Sequence, residues 1–154
     1  MKTRLTTPCA DADRPYLEET TALRVRFHEV DSLGIVWHGH YVSYFEEARR
    51  AFGRRYGIDY PVFREHGIAA PVVSLWLDYK LPARMDDVLE VTARLYKNDT
   101  AKLEFAYEIA CSRKLLATGG SVQVFTKPDG ELLLIAPPFL EELYRQWEAL
   151  WIRR

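Results

Sequence analysis

The chain has 154 residues, of which 48% are hydrophobic, enough apolar mass for one domain with a real core. Its 21 Lys and Arg nearly balance 22 Asp and Glu, a net charge of -1 that lacks the basic excess of a nucleic-acid binder. Two cysteines, Cys9 and Cys111, exclude a disulfide framework and a four-cysteine zinc site. Aromatics at 13% are the unusual figure, because such side chains concentrate in interfaces and ligand slots.

Residues Met1 to Thr21 contain no apolar run and read as a loose N-terminal tail. No stretch of about 20 apolar residues occurs, so membrane insertion is not expected and a cytoplasmic location is. The domain then occupies residues 22–154. Leu23, Val25 and Phe27 alternate with polar neighbours and predict a strand with those three on one face. An irregular stretch from Glu29 to Gly39 follows. Tyr41, Tyr44, Phe45, Ala48, Phe52 and Tyr56 then recur at three- and four-residue intervals, the mark of an amphipathic helix stopped by Gly57. Glu46 is placed to pair with Arg50 one turn on.

A short helical turn over Tyr60 to His66 precedes a series of strands. These are Ile68 to Tyr79, the alternating Leu89 to Leu95, the alternating Leu103 to Ile109, and Leu115 to Phe125. Lys97 to Thr100 and Ser112 to Lys114 are the turns between them, and Gly119-Gly120 marks a bulge or a close backbone approach. A last helix at about 138–152 carries the stripe Leu143, Tyr144, Trp147, Leu150 and Trp151. The reading is α+β: an antiparallel sheet packed on one long helix, with an additional C-terminal helix.

Chemistry concentrates in Val30 to Tyr41, where the chain enters the long helix. Free N–H groups at a helix start form an electropositive site able to hold an oxyanion. Asp31 lies just upstream, and Gly34 permits a tight turn that brings its carboxylate back toward those amides. Carboxylate plus amides is a minimal acyl-transfer site. A turn-forming or capping role for Asp31 is the alternative. His38 and His40 have the residue types of a metal pair, but side chains two apart diverge once a helix begins, so no metal is expected.

The segment DSLGIVWHGHY, followed by VSYFEEARR and later by YKLPARMDD, resembles the hot-dog acyl-CoA thioesterases of the 4-hydroxybenzoyl-CoA thioesterase and YbgC-like group. The resemblance spans about Leu23 to Phe125. It implies a sheet wrapped around the long helix, edge pairing into a homodimer or homotetramer, and active sites between protomers. It implies an acyl-CoA or acyl carrier protein thioester as substrate and no cofactor. Asp31 falls on the catalytic carboxylate, a nucleophile or a base for water. The backbone N–H of His38 falls on the donor to the thioester carbonyl. Gly34, Val36 and Tyr41 belong to the matching motif, and Trp37 and Tyr44 fall where an acyl slot is lined. Lys97 and Lys102, with Arg84 behind them, are candidates for the coenzyme A phosphates, a solvated surface charge being the simpler reading of all three. His40 stands where the group usually has Asn. Two further functions fit this segment: hydration or dehydration of acyl thioesters, with a histidine and Asp31 acting together, and a non-catalytic acyl-CoA scaffold that offers the last helix to a partner.

Overall fold

The alternating apolar residues form five antiparallel strands in one sheet, as seen in a computed structural model that describes residues 13–153. In chain order the elements are β1 (Tyr16–Arg24), a 3-10 turn (Phe27–Glu29), α1 (His40–Tyr56) and α2 (Tyr60–Glu65). Then follow β2 (Val72–Tyr79), β3 (Val88–Tyr96), β4 (Lys102–Cys111), β5 (Lys114–Val124) and α3 (Pro138–Gln146). Spatial order is β1-β3-β4-β5-β2, so β1 and β2 are the two edges.

Helix α1 lays Tyr41, Tyr44, Phe45, Ala48 and Phe52 against the sheet, and all five are buried. The facing residues include Leu89, Val91 and Leu95 of β3 and Leu103, Phe105 and Tyr107 of β4. Phe45 stacks on Tyr107 at 4.5 Å, and Phe52 meets Phe105 edge-on at 5.2 Å. Gly57 ends α1 with φ of 80°, a left-handed cap that favours glycine. The Gly119-Gly120 pair is a close approach and not a bulge, since β2 and β5 stay in register there. A β-carbon at Gly119 would lie 2.6 Å from the Phe45 ring, and one at Gly120 would lie 1.9 Å from Trp76. This is the sheet wrapped around one long helix that the hot-dog resemblance implies.

Four expectations change. Strand β1 begins at Tyr16, so Tyr16 to Thr21 are not a loose tail but pair residue by residue with Val91 to Tyr96. Their polar look reflects an outward face where Glu18 pairs with Arg94 at 2.8 Å, while Leu17 points into the core. Met1 to Ala12 lie outside the described residues. At the other end β1 stops at Arg24, and the turn that follows leaves Phe27 82% exposed instead of buried beside Val25. Glu46 pairs with Arg49, not Arg50, which reaches Glu47.

Finally, α3 ends at Gln146 and does not run to 152. The chain turns at Trp147, buries Trp147 and Trp151, and forms a two-way backbone pair between Ile152 and Tyr16 at 3.0 and 2.8 Å. That removes the exposed Trp stripe on which a partner-binding scaffold would rest. No helix among the described residues is long and apolar enough to cross a membrane.

Candidate active site

Between the 3-10 turn and α1 the chain closes on itself through a Val30–Val36 bridge. The Asp31 amide donates to Ile35 O at 2.9 Å, and the Gly34 amide donates to Asp31 O at 3.0 Å. Gly34 adopts φ of 75°, the left-handed conformation this turn needs. The Leu33 amide donates to Asp31 Oδ1 at 2.8 Å, so one carboxylate oxygen forms an Asx turn. Its other oxygen accepts no hydrogen bond among the described residues. Asp31 therefore serves as a turn former and still presents a free carboxylate edge.

The start of α1 is fixed from three sides. Val36 N donates to Ala83 O and Trp37 N to Glu29 O, both at 2.9 Å, and His40 N returns to Trp37 O at 3.0 Å. The Tyr79 hydroxyl donates to His38 O at 2.6 Å, and the Ala83 amide donates to the Tyr41 hydroxyl at 3.1 Å. These bonds use the neighbouring groups and leave the N–H groups of His38 and Gly39 without an acceptor among the described residues. A 17-residue helix adds its dipole to those unused donors.

Asp31, Val36, His38 and Tyr41 line one open pocket of about 320 Å³, together with Tyr79, Lys80, Leu81 and Pro82. Of the residues expected at the site, these four are brought together. Gly34 shapes the turn without lining the pocket. Trp37, 47% exposed, folds back over Gly39 and against the rings of His38 at 4.8 Å and His40 at 5.4 Å. Tyr44 is buried, does not line the pocket, and donates to Glu29 Oε2 at 2.9 Å; burial and then that carboxylate raise its phenol above the ordinary tyrosine value.

Lys97 and Lys102 follow the far end of β3, the end that pairs with Tyr16, whereas the Asp31 loop leaves β1 at the end that pairs with Val88. Within one protomer they do not reach the pocket. Lys97 instead pairs with Glu148 at 2.8 Å and lies over the Trp151 ring. Arg84 meets the loop through a backbone bridge to Ile35, with its side chain exposed.

Two contributors were not singled out by sequence. Tyr79 opens the YKLPARMDD motif, which was the available signal for it. Glu29 holds both ends of the loop, its carbonyl on Trp37 and its carboxylate on Tyr44 and the Arg26 amide.

A carboxylate with an oxygen free of hydrogen bonds and a residue with an unused amide, lining one pocket open to solvent, have the chemistry to attack an acyl carbon, or to activate water there, and to hold a developing oxyanion. Comparison with known proteins gives the family. The sequence profile of the thioesterase-like superfamily matches residues 25–146. The chain belongs to that superfamily and is a thioester hydrolase with the hot-dog fold. It is 33% identical to a putative esterase of Aquifex aeolicus over 120 residues, covering 78% of this chain and 93% of the relative. It is 28% identical to the acyl-CoA thioester hydrolase YbgC of Escherichia coli O6:H1, covering 66% of this chain and 76% of that one. Among solved structures, a DHNA-CoA thioesterase from Staphylococcus aureus superposes with a TM-score of 0.77 at 26% identity, over 86% of this chain and 92% of that one.

Proposed function

We propose that the chain hydrolyses acyl-CoA thioesters to a carboxylic acid and free coenzyme A, with Asp31 as the reacting carboxylate and the His38 amide as the oxyanion donor. The observation that carries this reading is that Asp31, with one carboxylate oxygen free of hydrogen bonds, and His38, with an unused amide, line the same pocket. The thioester carbonyl oxygen is held by the His38 N–H as the carbon becomes tetrahedral. Asp31 either takes a proton from water as it adds, or adds itself to give a mixed anhydride that water then opens. In both routes water supplies the hydroxyl of the acid and the proton of the thiol. The nearby E. coli and S. aureus proteins, by their names, act on acyl-CoA thioesters. A cytoplasmic location is part of the same reading.

We further read β2 as the edge that joins two protomers. It pairs with β5 on one side only, and Val73, Leu75 and Tyr79 are exposed on it. An apolar edge with unpaired backbone groups is a template for a second strand.

A thiol-release screen across short, long and aromatic acyl-CoAs, with Asp31→Asn alongside, tests the activity. Release by the wild type, reduced roughly 10²- to 10⁴-fold in the variant, is expected for a lost general base. Equal release by both proteins rejects the role of Asp31. Preference for an enoyl-CoA hydration product over thiol release would reject hydrolysis itself.

A further inference from the structure

Asp31 stands on a short pair of antiparallel rails, residues 29–31 and 35–37. Glu29 O accepts from Trp37 N at 2.9 Å, Val30 bridges Val36, and Asp31 N donates to Ile35 O at 2.9 Å. The second rail runs on into His38 and is fastened along its length. Val36 N donates to Ala83 O, Ile35 bridges Arg84, and the Tyr79 hydroxyl holds His38 O. The first rail carries Asp31 and is held differently. Val30 rests half-buried against the core, an apolar contact that gives no direction. Among the described residues one hydrogen bond ties this rail to α1, from the Tyr44 hydroxyl to Glu29 Oε2 at 2.9 Å.

Both ends of that bond are fixed. Glu29 Oε2 also accepts from Arg26 N at 2.8 Å, and Glu29 N donates to Arg26 O at 3.0 Å, so the acceptor is locked to the 3-10 turn. The Tyr44 ring is buried and meets the Tyr41 ring edge-on at 5.9 Å, and the Tyr41 hydroxyl accepts from Ala83 N. Phe45 and Phe52 on the same helix fill the core without a hydroxyl, so packing alone does not call for one at Tyr44. A buried phenol without a partner is costly, and Glu29 is the partner it has. Burial and then that carboxylate raise the phenol above its ordinary value, which keeps it a donor at neutral pH.

We infer that Glu29 and Tyr44 are positioning residues for the reaction: their bond sets where the Asp31 carboxylate stands relative to the His38 amide. This rests on the hydrolase reading given above. Neither residue lines the Asp31 pocket, so neither is assigned a contact with substrate. The amide belongs to the second rail just ahead of α1, and the carboxylate belongs to the first. Slippage of the first rail against the helix changes the separation of the two reacting groups and leaves the Tyr79–Pro82 wall in place. Misplacement of reacting groups by a fraction of a bond length is felt in the chemical step before it is felt in binding.

Tyr44→Phe deletes the bond and keeps the ring. It should lower kcat for thiol release by about 10- to 100-fold, with KM within about threefold of the wild type. Glu29→Ala should lose at least as much. Glu29→Gln keeps an oxygen for Tyr44 and for the Arg26 amide, and should recover kcat to within about threefold of the wild type. Added to Glu29→Ala, Tyr44→Phe should cost less than about threefold more, because both remove the same bond. Where Glu29→Ala does not fold, Tyr44→Phe carries the test, since its core packing is unchanged. In substrate-free protein the amide NMR resonances of Asp31 and His38 should shift in Tyr44→Phe. A Tyr44→Phe kcat close to the wild type, a loss confined to KM, multiplying losses in the double variant, or Glu29→Gln as slow as Glu29→Ala would each overturn the inference. If the wild type releases no thiol from any acyl-CoA, the hydrolase reading fails. The amide resonances then decide the positioning contact by themselves, and unmoved ones overturn it.

Discussion

The hydroxyl of Tyr79 donates a 2.6 Å hydrogen bond to the carbonyl oxygen of His38, tying the last residue of an edge strand to the turn that begins α1. A bond to that carbonyl polarises the His38–Gly39 peptide and holds the helix start in one orientation. The Tyr79 ring also meets Tyr41 edge-on at 5.1 Å, so it is braced by a buried neighbour. Tyr79→Phe keeps that ring contact and removes only the bond. We expect kcat for thiol release to fall by about 3- to 10-fold, as one net hydrogen bond of roughly 1 kcal/mol would dictate, with KM nearly unchanged. A loss as deep as that of Asp31→Asn would show that the phenol takes part in the chemistry.

Asp31 combines a structural and a chemical task, and two substitutions separate them. Asn keeps an oxygen for the Leu33 amide, so Asp31→Asn should unfold in urea within about 0.5 kcal/mol of the wild type while losing its activity. Alanine removes the turn acceptor as well, and Asp31→Ala should be less stable than Asp31→Asn by about 0.5–1.5 kcal/mol. Equal stability of the two variants would show that the Leu33 bond contributes nothing.

Two glycines covered by tryptophans should respond in opposite ways. A β-carbon at Gly39 would lie 2.1 Å from the Trp37 ring, but that ring is 47% exposed and can swing outward. Gly39 has φ of -73°, which suits alanine, so Gly39→Ala should cost under about 1 kcal/mol. Its signature is a changed near-ultraviolet dichroism from the displaced indole. At Gly120 the added carbon would meet Trp76 at 1.9 Å and the Phe105 carbonyl at 2.7 Å, inside the sheet. Gly120→Ala should destabilise by about 1–3 kcal/mol in urea, as overpacking does.

Alkaline pH should unfold the protein through its buried phenols. Burial raises Tyr44, Tyr107 and Tyr144 above the ordinary tyrosine value, Tyr107 to about 12. Below about pH 10 both folded and unfolded chains keep these protons, and the three contribute no slope. Above it the unfolded chain releases them while the folded one does not, so the folded state binds more protons and stability falls as pH rises. We expect urea midpoints to be flat near neutrality on this account and to drop between about pH 10 and 12, with phenolate absorbance of these tyrosines appearing together with unfolding. Phenolate formation in all nine tyrosines while the fold persists would contradict this.

What could be read from the sequence tracks how local each signal is. Helix α1 was legible because Tyr41, Tyr44, Phe45, Ala48 and Phe52 repeat on one face and Gly57 closes it. β3 and β4 were legible because one face of each is buried and the other is not. The first half of β1 was hidden: Glu18, Glu19 and Thr20 look like a solvated tail until Arg94 and Thr92 of β3 are seen beside them. Asp31 stood out through its motif, since spacing alone also describes a turn former, and the Leu33 bond makes it one. Tyr79 acts on a residue 41 positions away, a tertiary relation that no local pattern encodes. Tyr44 carried the right spacing for the core, and its hydroxyl braces Glu29, a tertiary contact the spacing does not encode.

The C-terminal segment gives the last test, because its tryptophans look like a docking stripe and are instead part of the fold. Trp147 packs on Tyr56 and Tyr144, and Trp151 packs on Trp147 beneath Lys97. Ile152 then exchanges two backbone hydrogen bonds with Tyr16, extending the start of β1 by one bridge. Ending the chain after Gln146 removes both buried indoles and those bonds at once. Trp147→Ala alone should cost about 3–5 kcal/mol in urea, the usual cost of deleting a buried large aromatic, and the truncated chain should lose more. If the segment were a free docking arm, both proteins would unfold at the wild-type midpoint and differ only in what they bind.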